Sequence, residues 1–484
     1  MNATQLRSAI YIAALCGLYL STAMLIPAMV DLYYGHSDWK VFAACAFMVG
    51  ALSLTAAMAT RGPPPVFTKR MGFLLVNVLW ATFSVVGAIP MMFSGPQLSF
   101  AQALFESVSG ITTTGSTVLS GLDHMPPGLL MWRSLLCWLG GIGIVALGLF
   151  VLPFLRVGGM SFFKMESSDT GDKPFARLAT FTRAFIGVYV GITIACAIAY
   201  DFAGMTRFDA INHAFTTIAT AGFSTHDASF AYFRSDAILW VSSFFMTVCS
   251  LPFSILIVFI VRGRLDALRD PQIVVFLGYL LFFAVSASIY NHLANDVPFH
   301  RALTHGVFNF ASILSTTGFS SDDYLGWGPF AVTAAFFATF AGGCSGSTAG
   351  GIKAYRFVIM FGIIHNGLKR LIYPSAIYSV RYGTQTVDVE VQRTVFLFFT
   401  SYIFIWFVGS MALSTFGHDF ATSTSAVLTA LSNVGPGVSD LIGPSGNFAT
   451  MNEGSLYILS LMMLLGRLEV LSVLVLLLPT FWRT

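Results

Sequence analysis

Charge is what this 484-residue chain has least of: Asp, Glu, Lys and Arg make up 10% of it, against 56% hydrophobic residues. Soluble domains carry about 25% charged residues, so there is too little polar side chain here to cover a water-facing surface. That excludes a soluble enzyme, a nucleic-acid binder and a disordered chain. Short alternating segments are missing as well; the apolar residues come in long blocks, which excludes a membrane β-barrel. Paired cysteines are missing. Cys16, Cys45, Cys137, Cys196, Cys249 and Cys344 lie in or beside apolar segments without metal-ligand spacing, and read as small core hydrophobes. The histidines do not cluster, and no His/Glu pair shares a helix face, which counts against a membrane enzyme. The composition describes an all-α polytopic membrane protein with the lipid bilayer as its surroundings.

Apolar stretches of spanning length fall near 9–30, 39–60, 71–93, 129–155, 181–203, 235–261, 272–292, 328–364, 393–416 and 455–480. The first is too long for a signal-peptide core and reads as an uncleaved helix. Four shorter semi-polar stretches, near 99–115, 207–222, 299–318 and 418–435, cannot cross a bilayer and are too apolar for loops. Each reads as a re-entrant half-helix, tolerated at membrane depth only inside protein or beside a wet cavity. Their ends align as Thr113-Thr114-Gly115, Thr220-Ala221-Gly222, Thr316-Thr317-Gly318 and Asn433-Val434-Gly435, repeating at intervals of about 100 residues. The organisation read from this is a two-helix extension (1–65) and four helix–hairpin–helix units at 66–160, 161–265, 266–380 and 381–484, pseudo-symmetric around one central pore. Since every unit has the same orientation, a carrier built from inverted halves is disfavoured.

Nineteen of the 25 Lys and Arg fall on the side away from the hairpins. By the positive-inside rule the hairpins face outward and both termini are cytoplasmic. Fourteen of the 22 acidic residues, Asp31, Glu106 and Asp209 among them, fall on the hairpin side and read as an acidic mouth that concentrates cations. Lys40 and Arg133 sit at helix starts.

A cation crossing a bilayer loses its water, and rings of backbone carbonyls replace it for alkali cations. Four half-helices that each end in a polar or small residue and then Gly supply such a ring, because glycine accepts positive φ and close backbone approach. The hydroxyls of Thr113, Thr220 and Thr316 add oxygens at its inner end, and the half-helix dipoles favour a cation there. A second motif, Gly342-Gly343-Cys344-Ser345-Gly346-Ser347-Thr348-Ala349-Gly350-Gly351, interrupts the stretch 328–364. Five glycines cannot stay helical at about 1 kcal/mol each, so the helix breaks and the loop reads as a gate. Lys353 and Arg356 beside it mark the cytoplasmic edge. A third feature is Arg467, half-way along the apolar stretch 456–478. Intramembrane charge is a functional hypothesis, and Arg467 is expected to face the cavity below the ring as an electrostatic barrier. Glu469, two residues on, lies on another helix face and is not expected to be its partner.

On the four glycine-ended segments, the Gly342–Gly351 loop with Ile352-Lys353, and Gly466-Arg467-Leu468-Glu469, the chain resembles the TrkH/KtrB potassium-uptake family, within the superfamily that includes plant HKT proteins. The two extra N-terminal helices look more like the TrkH branch. The resemblance covers essentially the whole chain. It implies K+ as transported ion with no organic cofactor, and a multi-pass protein of the bacterial inner membrane. It implies a homodimer with a cytosolic TrkA-type nucleotide-binding gating ring. It also implies K+ selectivity, since sodium-selective HKT relatives carry Ser at the first filter glycine. Thr220-Ala221 departs from the more usual Asn-Ala. Channel-like flux and proton- or sodium-coupled symport are both left open.

Overall fold

A computed structural model describes residues 3–62, 68–146, 174–263 and 266–483. The end of the stretch expected near 129–155 and the unit boundaries at 65, 160 and 265 lie outside the described residues. The chain opens with α1 (Ala3–Ala23), α2 (Leu25–Tyr33) and α3 (Trp39–Thr60). Four units follow, each an outer helix, a half-helix and an inner helix. The first is α4 (Lys69–Phe93), α5 (Phe100–Ile111) and α6 (Pro127–Ala146). The second is α7 (Pro174–Ala203), α8 (Arg207–Ile218), α9 (Asp236–Cys249) and α10 (Phe253–Arg262). The third is α11 (Pro271–Asn295), α12 (Phe299–Leu314), α13 (Pro329–Ala338) and α14 (Ala354–Ile372). The fourth is α15 (Val389–Ser414), α16 (Phe420–Ser432), α17 (Glu453–Arg467) and α18 (Val470–Leu474). The only strands among the described residues are the hairpin Arg381–Tyr382 with Gln385–Thr386.

Among the described residues, seven helices are long and apolar enough to cross a membrane, or nine if each bent pair counts as one span. Buried residues make up 72% of the apolar stretch of α6 but 28–39% in the other unbroken spans, so α6 is an inner helix and the rest carry lipid-facing surface. The half-helices run 12, 12, 16 and 13 residues. At 1.5 Å per residue they reach about 18–24 Å, short of the ~30 Å hydrocarbon core. Three of them start on a side-chain cap. Ser99 and Gln102 form a reciprocal capping box on α5, Thr206 caps α8 and Asp419 caps α16, each worth about 1 kcal/mol. The N-terminal helices pack on the first unit: Leu20, Met24, Phe42 and Val49 share a cluster with Ile111, Trp132 and Leu136.

The structure departs from the sequence reading in the inner helices. A break was expected only in the third unit, where residues 339–353 do separate α13 from α14. The second unit also breaks, at Ser250-Leu251-Pro252 with a bend of 103°, and the fourth at Leu468-Glu469 with a bend of 110°. Pro252 explains the first, since proline cannot donate into the preceding turn. Glu469, at φ +59°, marks the second.

Candidate functional site

Each half-helix ends in the same way. The N–H two residues before the terminal glycine bonds a carbonyl three residues back: Thr113 to Gly110 O at 2.9 Å, Thr220 to Thr217 O at 3.0 Å, Thr316 to Ile313 O at 3.0 Å and Asn433 to Ala430 O at 3.2 Å. The next N–H reaches five residues back: Thr114 to Ser109 O, Ala221 to Thr216 O, Thr317 to Ser312 O and Val434 to Thr429 O, at 2.8–3.0 Å. This geometry forces left-handed backbone on Thr113, Thr220, Thr316 and Asn433, with φ of 51–57°. Such strain at non-glycine residues costs on the order of 1–3 kcal/mol each and persists only where the surroundings over-determine it. Four copies at equivalent positions make it a built feature.

The four ends meet. A Cβ on Gly115 would lie 2.3 Å from Ala221 O, one on Gly222 2.0 Å from Thr317 O, one on Gly318 2.0 Å from Val434 O, and one on Gly435 2.9 Å from Thr114 O. First touches second, second third, third fourth, and fourth first, so the segments encircle one axis. All four glycines have positive φ, from 75° to 108°. A funnel of about 320 Å³ opens above the ring, with all four glycines in its wall.

Gly342–Gly351 lies against the opposite end of the ring. Ala341 and Ile352 bridge at its base. Gly350 N–H donates to Thr316 Oγ1 at 2.6 Å, Gly351 N–H to Ser432 O at 2.8 Å, and Thr348 Oγ1 to Ile218 O at 3.1 Å. The loop is thus laced to the ends of three half-helices. The cavity beside it, reached by Ile144, Gly350, Gly351, Lys353 and Arg467, holds about 30 Å³, room for one or two waters. Of the threonine hydroxyls expected at the inner end, Thr316 accepts from the loop and Thr220 donates to Ala219 O at 2.7 Å. Thr113 Oγ1 has no partner among the described residues. Asn433 Nδ2 donates to Thr114 Oγ1 at 2.9 Å and Met463 O at 3.0 Å.

Arg467 closes α17 rather than lying half-way along a straight helix, because the chain turns at Leu468-Glu469. It is 3% exposed, and its Nη2 donates to Thr348 O at 2.9 Å in the tip of the loop. As expected, Glu469 is not its partner. Glu469 pairs with Arg356, whose guanidinium lies 3.6 Å above the Phe398 ring. Lys353 and Arg356 are therefore not edge markers: both are buried, and Lys353 Nζ donates to Ala349 O. The sequence held a signal for this, because a lone intramembrane Glu469 that could not reach Arg467 required some other cation. Breaking a buried pair strands a charge at about 3–5 kcal/mol. Glu469→Gln is accordingly expected to lower unfolding free energy by about that much in detergent, and a loss under about 1 kcal/mol would contradict the pairing.

The acidic mouth is also revised. Asp31, Glu106 and Asp209 are buried. Asp31 Oδ1 accepts Gly128 N–H at 2.6 Å, and Glu106 pairs with Arg133 Nε at 2.8 Å, so Arg133 is a buried partner. Asp209 accepts from Thr206 and Thr225 hydroxyls. Above the ring, His226 stacks on Tyr232 at 3.5 Å, bonds Asp123, and places Nε2 3.4 Å from Asp209 Oδ1. Burial works against its charged form, but the Asp209 and Asp123 carboxylates outweigh it and raise its pKa above the ordinary 6.5. A raised folded pKa gives stability that is fully present below pH 6.5 and lost as pH climbs through the folded value. Melting temperature is expected to fall over that window in the wild type and to stay flatter in His226→Gln; parallel curves would contradict it.

The family model for TrkH, described as a cation transport protein, matches residues 40–289 and 273–483. The Trk system potassium uptake protein TrkI of Halomonas elongata is 41% identical over 476 residues, covering 98% of this chain and 96% of its own. The Trk system potassium uptake protein TrkH of Escherichia coli K12 is 36% identical over 482 residues, covering 98% of both. The crystal structure of the potassium transporter TrkH from Vibrio parahaemolyticus superposes with a TM-score of 0.92 at 34% identity, over 99% of this chain and all of that one. The chain, a multi-pass membrane protein of four units around one pore, belongs to the TrkH family of cation transport proteins.

Proposed function

We propose that this protein takes up K+ across the bacterial inner membrane, with the carbonyls of residues 113–115, 220–222, 316–318 and 433–435 replacing the ion's water. The observation that carries the reading is the closed circuit in which each filter glycine abuts the next unit's carbonyl. Close-set carbonyl oxygens suit a dehydrated monovalent cation. The half-helices aim their negative dipole ends at the same axis. Relatives named as potassium uptake proteins support the choice of ion.

In this reading the hairpins face outward and the funnel receives the ion. The Gly342–Gly351 loop is the gate, held under the filter by its bonds to Thr316 and Ser432. Arg467 both tethers the loop through Thr348 O and places positive charge in the path, where it opposes a cation until the loop moves. A homodimer with a cytosolic TrkA-type nucleotide-binding ring supplies the force that moves it.

The test is growth of an uptake-deficient bacterium at limiting K+, with and without a co-expressed ring subunit. Rescue that depends on K+ supply is expected; no rescue by a protein shown to reach the membrane would refute the reading.

A further inference from the structure

Nine residues before each filter glycine stand Glu106, His213, Asn309 and Ala426. The first three reach the same place: the extended chain two or three residues past their own glycine. Glu106 accepts Val118 N–H at 2.9 Å and the Thr117 hydroxyl at 2.9 Å. His213 bonds Asp209 O through Nδ1 at 2.9 Å, which leaves Nε2 to accept from the Ser224 hydroxyl at 2.9 Å. Asn309 accepts Ser321 N–H at 3.2 Å and donates to Ser321 Oγ at 3.1 Å. Ala426 has nothing to offer, and the corresponding Gly437 N–H bonds Ile442 O within its own loop.

Arg133 joins two of these braces. Its Nε holds Glu106 at 2.8 Å, its Nη1 donates to Ser224 O at 3.0 Å, and its guanidinium lies 4.1 Å above the Phe223 ring. Phe223 and Ser224 directly follow the second filter glycine. The pair therefore ties the exit of the first segment to that of the second.

We propose that this position forms a second tier of selectivity residues behind the filter: polar braces, present in three units and absent from the fourth, that fix the spacing of the carbonyl ring. The fourth exit is held from other positions, by Thr422 Oγ1 on Ser439 Oγ at 2.9 Å and Ser116 Oγ on Gly435 O at 3.0 Å. The inference rests on the K+ filter reading above. An independent observation agrees with the asymmetry. A Cβ placed on the filter glycine would lie 2.0–2.3 Å from the adjoining carbonyl at three junctions and 2.9 Å from it where Gly435 meets the first unit. Selection among alkali cations depends on the spacing and field strength of the oxygens. A braced segment holds them against collapse around a smaller ion. Glu106, Asn309 and His213 touch no ion; they are positioning residues.

The test uses full-length protein in proteoliposomes, with uptake of radiolabelled rubidium and sodium measured side by side. In Glu106→Gln and Asn309→Ala the sodium-to-rubidium ratio is expected to rise about tenfold or more, with rubidium uptake retained. Ala426→Ser, at the unbraced position, is expected to keep the wild-type ratio. Asn309→Ala removes no charge and so stands in if Glu106→Gln fails to fold. A role in folding alone would lower yield and total flux and leave the ratio where it was. An unchanged ratio in monodisperse variants would overturn the inference alone, as would an Ala426→Ser shift equal to that of Asn309→Ala. Wild-type protein without rubidium preference would overturn the K+ reading and this inference with it.

Discussion

Gly115→Ser is expected to lose most of the discrimination between rubidium and sodium while still reaching the membrane folded. Two costs coincide at this position. The backbone sits at φ +86°, in the region where a residue with a side chain is strained by about 1–2 kcal/mol. A Cβ would also press to 2.3 Å from Ala221 O, a carbonyl of the adjoining unit. The serine cannot be absorbed by a flexible side chain, because the obstacle is backbone. Either its own segment or the Ala221 segment must move off the axis, and both contribute oxygens to the proposed ring. Flux ratios in proteoliposomes are expected to change by at least about tenfold, equivalent to ~1.4 kcal/mol. An unchanged rubidium-over-sodium ratio would argue that the ring does not select.

Removing residues 345–349 is expected to raise rubidium flux by about tenfold or more without a partner present. The deletion takes out the Thr348 hydroxyl that bonds Ile218 O and the Thr348 carbonyl that accepts from Arg467. It leaves the Ala341–Ile352 bridge that closes the loop's base. The neutral bond is worth about 1 kcal/mol and the one from Arg467 about 1.5–3 kcal/mol, so the fold should survive while the loop's hold on the underside of the ring weakens. Flux that drops in a correctly folded deletion would identify the loop as part of the conduction path and not as its closure.

Much of the architecture could be read before any coordinates. Apolar blocks of spanning length report membrane helices because lipid offers backbone groups no partner but each other. Four Gly-ended segments at a common interval report repeats, since each segment is the same local solution used again. What composition could not report is which buried charge meets which. Glu106 and Arg133 are 27 residues apart and Arg356 and Glu469 are 113 apart, and neither separation has a sequence period. Counting charges by side therefore placed Asp31, Glu106 and Asp209 at a solvated mouth, although each is enclosed. The second and fourth inner-helix breaks were hidden for a related reason. Only one residue, Pro252, announces the first, and Glu469 adopts its φ of +59° in a stretch that local propensity leaves helical.

The sequence by itself determined the solvent, the helical character of the spans, the fourfold repeat and the glycines of the ring. These follow from hydrophobicity and local backbone preference, which act over a few residues. Tertiary structure alone decided that the four segments close in cyclic order, that the glycine-rich loop is tied to three of them, and that Arg467 holds that loop while Glu469 turns to Arg356. Those outcomes depend on which distant groups are brought within hydrogen-bonding reach when water is excluded, and a linear chain carries no record of that distance.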